Sequence, residues 1–151
     1  MTGQGIVQLA EDIAREAHKG QLDKAGVEYI AHPERVAEGV RTHGGGDEAV
    51  AAAWLHDVLE DCPATEAGLR EQGIPDSVIE TVLAVTKLKN EPVEAYCARV
   101  VANPTALRVK QADLNDNTDP ARTALLPEEM RTRLSVKYAY VRSLLGLPRQ
   151  V

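Results

Sequence analysis

The chain has 151 residues, and its 17 Lys and Arg against 23 Asp and Glu give a formal net charge of −6. One domain of this length can bury a core without disulfides or a structural metal, and the acidic balance argues against a general nucleic-acid binder, which needs basic surface to displace counterions. With no Phe, one Trp and four Tyr, there is little material for a base-stacking platform, and Ala, Val, Leu and Ile must fill the core.

Ile6, Ala10, Ile13, Ala14 and Ala17 recur at helical spacing, and Gly20 follows as a stop. Residues 20–31 read as a loop rich in Gly and charge. A short helix runs from about Pro33 to Thr42, and His43-Gly44-Gly45-Gly46 breaks it. Asp47 caps the next helix, which the pattern carries without interruption to about Asp61, where Cys62-Pro63 ends it. Thr65 is an N-cap for a short helix ending near Gly73. Pro75 and Asp76 open another, with Val78, Ile79, Val82 and Leu83 inward. Pro92 and Asn103-Pro104 stand at helix starts. A last helix from about Pro127 to Leu145 aligns Met130, Leu134, Val141 and Leu145 before Gly146 and Pro148.

No segment alternates with period two, and there is no repeat. The expectation is an all-α single domain over residues 1–151, a bundle of about seven or eight helices. Its motif-bearing core covers about 4–120, with a C-terminal packing helix at about 127–145. Two cysteines, Cys62 and Cys97, make no disulfide framework and suit a reducing cytosol. The longest apolar run, Ala49 to Leu55, is far short of a membrane span. Glu11, Asp12 and Arg15 interrupt the N-terminal stretch, unlike a signal peptide. A cytoplasmic protein, with no membrane or nucleic-acid partner, is expected; nothing sets its oligomeric state.

The most informative segment is Ala53-Trp54-Leu55-His56-Asp57-Val58-Leu59-Glu60-Asp61. On a continuous helix, at about 100° per residue, His56, Asp57, Glu60 and Asp61 share one arc, and Leu55, Val58 and Leu59 share the other. Most acidic amphipathic helices simply solvate such a face. This one is otherwise nearly all apolar and should be central, where four ionisable groups need partners or a metal. A second segment supplies partners: Lys110, Asp113 and Asn117 stand at i, i+3 and i+7 and form a polar stripe if helical. Taken alone, they also fit a solvated helix end. A third segment puts His32 directly before Pro33, where a side chain is held rigidly, although a lone histidine there is more often structural.

Together these blocks resemble the HD-domain metal-dependent phosphohydrolases, specifically the hydrolase half of the RelA/SpoT alarmone enzymes and their small stand-alone relatives. The match rests on Ala17-His18-Lys19-Gly20-Gln21 through Tyr29-Ile30-Ala31-His32-Pro33, on Trp54-Leu55-His56-Asp57-Val58-Leu59-Glu60-Asp61, and on Lys110-Gln111-Ala112-Asp113 with Asn117. Val85-Thr86-Lys87-Leu88 adds a weaker fourth block. The resemblance implies that His32, His56, Asp57 and Asp113 hold one divalent cation, usually Mn²⁺, although two imidazoles and two carboxylates would also suit Zn²⁺ or Fe²⁺. By the same resemblance Glu60 and Asp61 orient and deprotonate the attacking water, and Lys24, Lys110 and Asn117 contact a small nucleotide, Asn117 at its ribose.

The implied activity is hydrolysis of ppGpp to GDP and pyrophosphate by a stand-alone enzyme of the stringent response. The alternatives are a phosphatase acting on another nucleotide, such as a deoxynucleoside monophosphate or NADPH, and a non-catalytic nucleotide-binding module. Asp23 stands where these hydrolases carry a base-stacking arginine, so Asp23→Arg is expected to improve substrate binding. Cys62 reads as a small buried hydrophobe, His18 as a brace for the loop and His43 as exposed.

Overall fold

The computed structural model describes residues 2–148; positions 1 and 149–151 of the expected domain lie outside the described residues. The order is α1 (Gly3–Ala17), α2 (Ala31–Thr42), α3 (Asp47–Leu55), α4 (Val58–Asp61), α5 (Glu66–Glu71), α6 (Asp76–Val85), α7 (Val93–Val101), α8 (Pro104–Asn117), α9 (Pro120–Thr123) and α10 (Glu128–Leu144). α4 and α9 are single turns, so the longer segments match the expected number. Among the described residues the only β pairing is one isolated bridge, Leu22 to Glu28, within the 18–30 loop.

Helix α3 is the hub. Every residue from Ala49 to Leu55 is buried, and α1, α2, α6 and α8 pack around it. Four of those seven residues are alanines, which lets neighbouring backbones come close on all sides. A helix apolar all round belongs in an interior, and here it forms the floor on which the site is built. Its neighbours turn narrower stripes inward: Val7, Ala10, Ile13 and Ala14 from α1; Val36, Ala37 and Val40 from α2; Val78, Ile79 and Val82 from α6. Leu83 and Met130, expected inward, are only half-buried.

Helix ends follow local chemistry. The side chains of Thr2, Thr65 and Asn103 accept the amides of Gly5, Gly68 and Ala106, each at 3.0 Å, and so cap α1, α5 and α8. Gly73, at φ +101°, ends the α5 turn in the left-handed region. Helix α2 begins at Ala31, two residues ahead of Pro33, and so holds His32 in its first turn.

One expectation needs correction. The helix opening at Asp47 does not run unbroken to Asp61; it stops at Leu55 and restarts at Val58. The His56 ring causes this: its Nδ1 donates to the Ala53 carbonyl at 2.7 Å. That carbonyl is the acceptor the Asp57 amide would use in a continuous helix. Helix α8 ends at Asn117, and a separate short helix follows it. Asp119 accepts the Ala121 amide at 3.0 Å and starts α9.

Candidate active site

Four elements meet over the end of α3. His32 comes from the first turn of α2, His56 and Asp57 from the break between α3 and α4, and Asp113 from α8. One ligand atom from each lies within 4.8 Å of all the others. His32, His56 and Asp113 are buried, and Asp57 is partly so. A regular helix would point His56 and Asp57 about 100° apart; the break turns both toward one centre.

The hydrogen bonds select the facing atoms. A carbonyl or carboxylate oxygen only accepts, so Nδ1 of His56 is spent on Ala53 and Nδ1 of His32 on Asp116 Oδ2 at 2.6 Å. Nε2 of both rings is left to face the cluster, 2.9 Å and 3.2 Å from Asp113 Oδ1. Tyr29 donates its hydroxyl to Asp57 Oδ2, which also lies 3.0 Å from His56 Nε2. Burial opposes charge on both imidazoles, but the carboxylates outweigh it and hold each above its ordinary value, His56 well above. Burial also opposes charge on Asp113, and Lys110 with the two histidines keeps it well below the usual carboxylate range. Two imidazole nitrogens and two ionised oxygens crowded to this distance fit a divalent cation, whose charge would replace the protons the rings carry without it.

The α8 stripe is present. Lys110 Nζ is 2.9 Å from Asp113 Oδ2, and Asn117 Nδ2 donates to Asp113 Oδ1 at 3.2 Å. Glu60 and Asp61 lie on the separate turn α4 and line the same cavity of about 550 Å³ as the cluster. Glu60 Oε1 accepts the Lys87 amide at 3.0 Å, and Gln21 reaches Asp61 at 3.5 Å. Both carboxyls open to solvent, yet desolvation by the cavity walls, with the charge of Asp57 adding to it, raises them above the usual range. Lys24 is exposed on the cavity rim.

Asp23 lines the same cavity, with its carboxylate already engaged. Its Oδ1 accepts the amides of Ala25 and Val27, each at 2.9 Å, and its Oδ2 lies 3.4 Å from Arg122 on α9. The carboxylate therefore shapes the loop and is offset by a guanidinium. His18 is buried and braces the same loop through Gln21, 2.8 Å from its Nδ1. Cys62 is half-buried, 3.5 Å from that nitrogen, and burial together with Asp61 and Asp57 pushes its thiol up, away from nucleophile chemistry. His43 is exposed.

Sequence reasoning missed Tyr29, Asp116, Arg122 and Lys137. Tyr29 stands one helical turn before His32 and Asp116 one turn after Asp113, so the i, i+3 rule applied outward from each ligand would have reached both. Lys137 and Arg122, far along the chain, carry no local signal. Desolvation and the like charges of Lys24, Lys110 and Lys87 push the Lys137 ammonium below its ordinary value, and these four lysines line one cavity.

Such a bundle, with a His/Asp cluster able to hold a metal at the floor of a cation-ringed cavity, defines a class of helical metal-site domains. Residues 10–131 match the family model of the HD domain. The chain belongs to the HD-domain family. It is 39% identical over 129 residues to the guanosine-3′,5′-bis(diphosphate) 3′-pyrophosphohydrolase of Haemophilus influenzae, covering 79% of this chain and 19% of the relative. It is 36% identical to the bifunctional (p)ppGpp synthase/hydrolase SpoT of Escherichia coli, over 79% of this chain and 18% of that protein. The chain thus spans about a fifth of the length of the curated relatives it matches. A solved structure described as a metazoan ortholog of SpoT that hydrolyzes ppGpp shares the fold, with a TM-score of 0.79 at 22% identity, covering 93% of this chain and 85% of that one. Among the described residues no helix is long and apolar enough to cross a membrane.

Proposed function

We propose that this chain is a cytoplasmic, Mn²⁺-dependent phosphohydrolase that converts ppGpp to GDP and pyrophosphate. The observation that carries the reading is the juxtaposition, in one cavity, of a His/Asp cluster, two carboxyls of raised pKa and four lysines. The relatives named for this reaction make ppGpp the leading substrate. In this reading residues 1–151 act as one catalytic domain.

His32, His56, Asp57 and Asp113 hold the cation. A bound divalent ion supplies a water of lowered pKa and offsets charge on the phosphoryl oxygens. Glu60 and Asp61 face the reacting groups from α4. Water adds at the phosphorus on the ribose 3′-oxygen, the bond from that phosphorus to O3′ breaks, and pyrophosphate leaves. One carboxylate takes the proton of the water, and O3′ receives a proton to become the hydroxyl of GDP. Raised carboxyl pKa values suit groups that must both take and give protons near neutral pH. Lys24 and Lys110 offset the negative charge of the substrate, and Asn117, on the same stripe, contacts the ribose.

The test is a nucleotide panel with Mn²⁺ present, with both phosphate and pyrophosphate measured. Stoichiometric GDP and pyrophosphate from ppGpp supports the reading. Orthophosphate from a nucleoside monophosphate or NADPH, with ppGpp untouched, replaces it with a nucleotide phosphatase, and binding without turnover replaces it with a sensor module.

A further inference from the structure

We propose that Asp116 is the positioning residue of the metal centre: gripped by Arg35 and Arg122, its carboxylate fixes the His32 ring so that Nε2 faces the cluster. The inference rests on the metal-site reading above and deepens it.

Asp116 sits on α8 one turn beyond Asp113 and, like His32, is buried. Its two oxygens meet three donors. Oδ2 accepts His32 Nδ1 at 2.6 Å and Arg122 Nη1 at 2.7 Å, while Oδ1 accepts Arg35 Nε at 2.7 Å. A carboxylate held on both oxygens cannot swing toward the cluster as a further ligand, and it is not among the four residues whose donor atoms converge. What it can do is hold a ring.

An imidazole on one Cβ keeps two soft torsions, and a metal ligand needs both set. The Asp116 contact sets them from the far side of the ring and requires the proton to be on Nδ1, leaving the Nε2 lone pair for the ion. Outer carboxylates of this kind raise ligand basicity as well as fixing the tautomer. His56 reaches the same state differently, through the Ala53 carbonyl. Only His32 depends on a side chain, and that side chain is held by residues of two other helices. Arg35 is on α2, one turn after His32. Arg122 is on α9, and its other nitrogen faces Asp23 in the 18–30 loop.

The rival role for Asp116 is purely architectural: an ion-pair hub that ties α9 to α2 and α8. The two roles separate in one experiment. Free Mn²⁺ is followed by electron paramagnetic resonance during titration of wild type, Asp116→Asn, Asp116→Ala and Arg35→Ala, and the Tm of each metal-free protein is measured alongside. Wild type is expected to bind one ion per chain. Asp116→Ala should weaken binding by about 10–100-fold, and Asp116→Asn by less, because its amide oxygen still accepts Nδ1–H but carries no charge to raise the basicity of the ring. Arg35→Ala leaves the His32 contact in place and should weaken binding less. It also carries the test if the Asp116 variants fail to fold, since the Arg35 side chain is 42% exposed. A lowered Tm with unchanged Mn²⁺ affinity overturns the proposal in favour of the hub. Absence of binding by wild type overturns the metal centre itself, before any variant is read.

Discussion

Glu60 and Asp61 are the residues on which turnover should depend without metal binding depending on them. Neither belongs to the group whose donor atoms converge within 4.8 Å, and both carry raised carboxyl pKa values from desolvation and the neighbouring charge of Asp57. Glu60→Gln and Asp61→Asn are expected to retain Mn²⁺ and to lose about 10²–10⁴-fold in kcat. Elemental analysis beside steady-state kinetics decides this, and retained turnover in both variants would assign the proton transfers elsewhere. Asp23 tells the opposite story. From the sequence it looked like a lost stacking arginine, because a motif position says which residue is absent and nothing about what the replacement is bonded to. In the structure its carboxylate holds two loop amides and faces Arg122. Asp23→Arg therefore removes a loop cap and sets two guanidiniums against each other. It should raise KM rather than lower it, and a lowered KM would restore the simpler view.

At the scale of elements, most helices were legible because their ends are written in short-range chemistry: Thr65, Pro75, Asn103 and Gly146 all act where local rules place them. The break after Leu55 was not legible. It arises from a side-chain bond of His56 to the backbone, and periodicity carries no trace of such competition. The four cluster residues were reachable from their blocks, whereas the partners of Asp116 and the lysine on α10 depend on tertiary packing. Packing around α3 supplies the next test. Ala52 is fully buried within the hub, so Ala52→Leu should cost about 1–3 kcal/mol by overpacking, read as a lower denaturant midpoint at unchanged m-value. The turn between α6 and α7 supplies a pH test. Arg99 donates to both Glu91 oxygens, at 2.7 Å and 2.8 Å, and to the carbonyls of Leu83 and Thr86. This partner takes the Glu91 carboxyl down from 4.5 to about 2. A depressed carboxyl stabilises the fold fully above its unfolded value and loses that contribution as pH falls through the folded one. The Tm advantage of wild type over Glu91→Gln should thus be constant above pH 4.5 and vanish toward pH 2, and an advantage that persists there would mean the pair contributes through shape alone.

Across the whole molecule, charge is arranged against its own average. The net charge of −6 opposes a polyanionic nucleotide, while Lys24, Lys87, Lys110 and Lys137 bring positive charge to a single cavity. Low-dielectric walls focus such a local field, and mobile ions screen it over about 8–10 Å at moderate salt. KM for ppGpp should accordingly rise with ionic strength while kcat changes little, and Lys137→Ala should flatten that dependence. A salt-independent KM would show that short-range contacts alone hold the substrate.

The interruption of the hub helix at His56 also limits what can be borrowed from this protein. A designer who copied the His56-Asp57 pair onto an ideal helix would transfer the ligands without the kink that aims them, and the two side chains would diverge. Conversely, His56→Ala does more than subtract a nitrogen. It releases the Ala53 carbonyl, so the Asp57 amide can claim it and the two helical pieces can fuse. A second ligand would then be turned away by a change at the first. Loss of function at position 56 would count two injuries as one, and a grafted centre has to import the backbone defect together with the residues that occupy it.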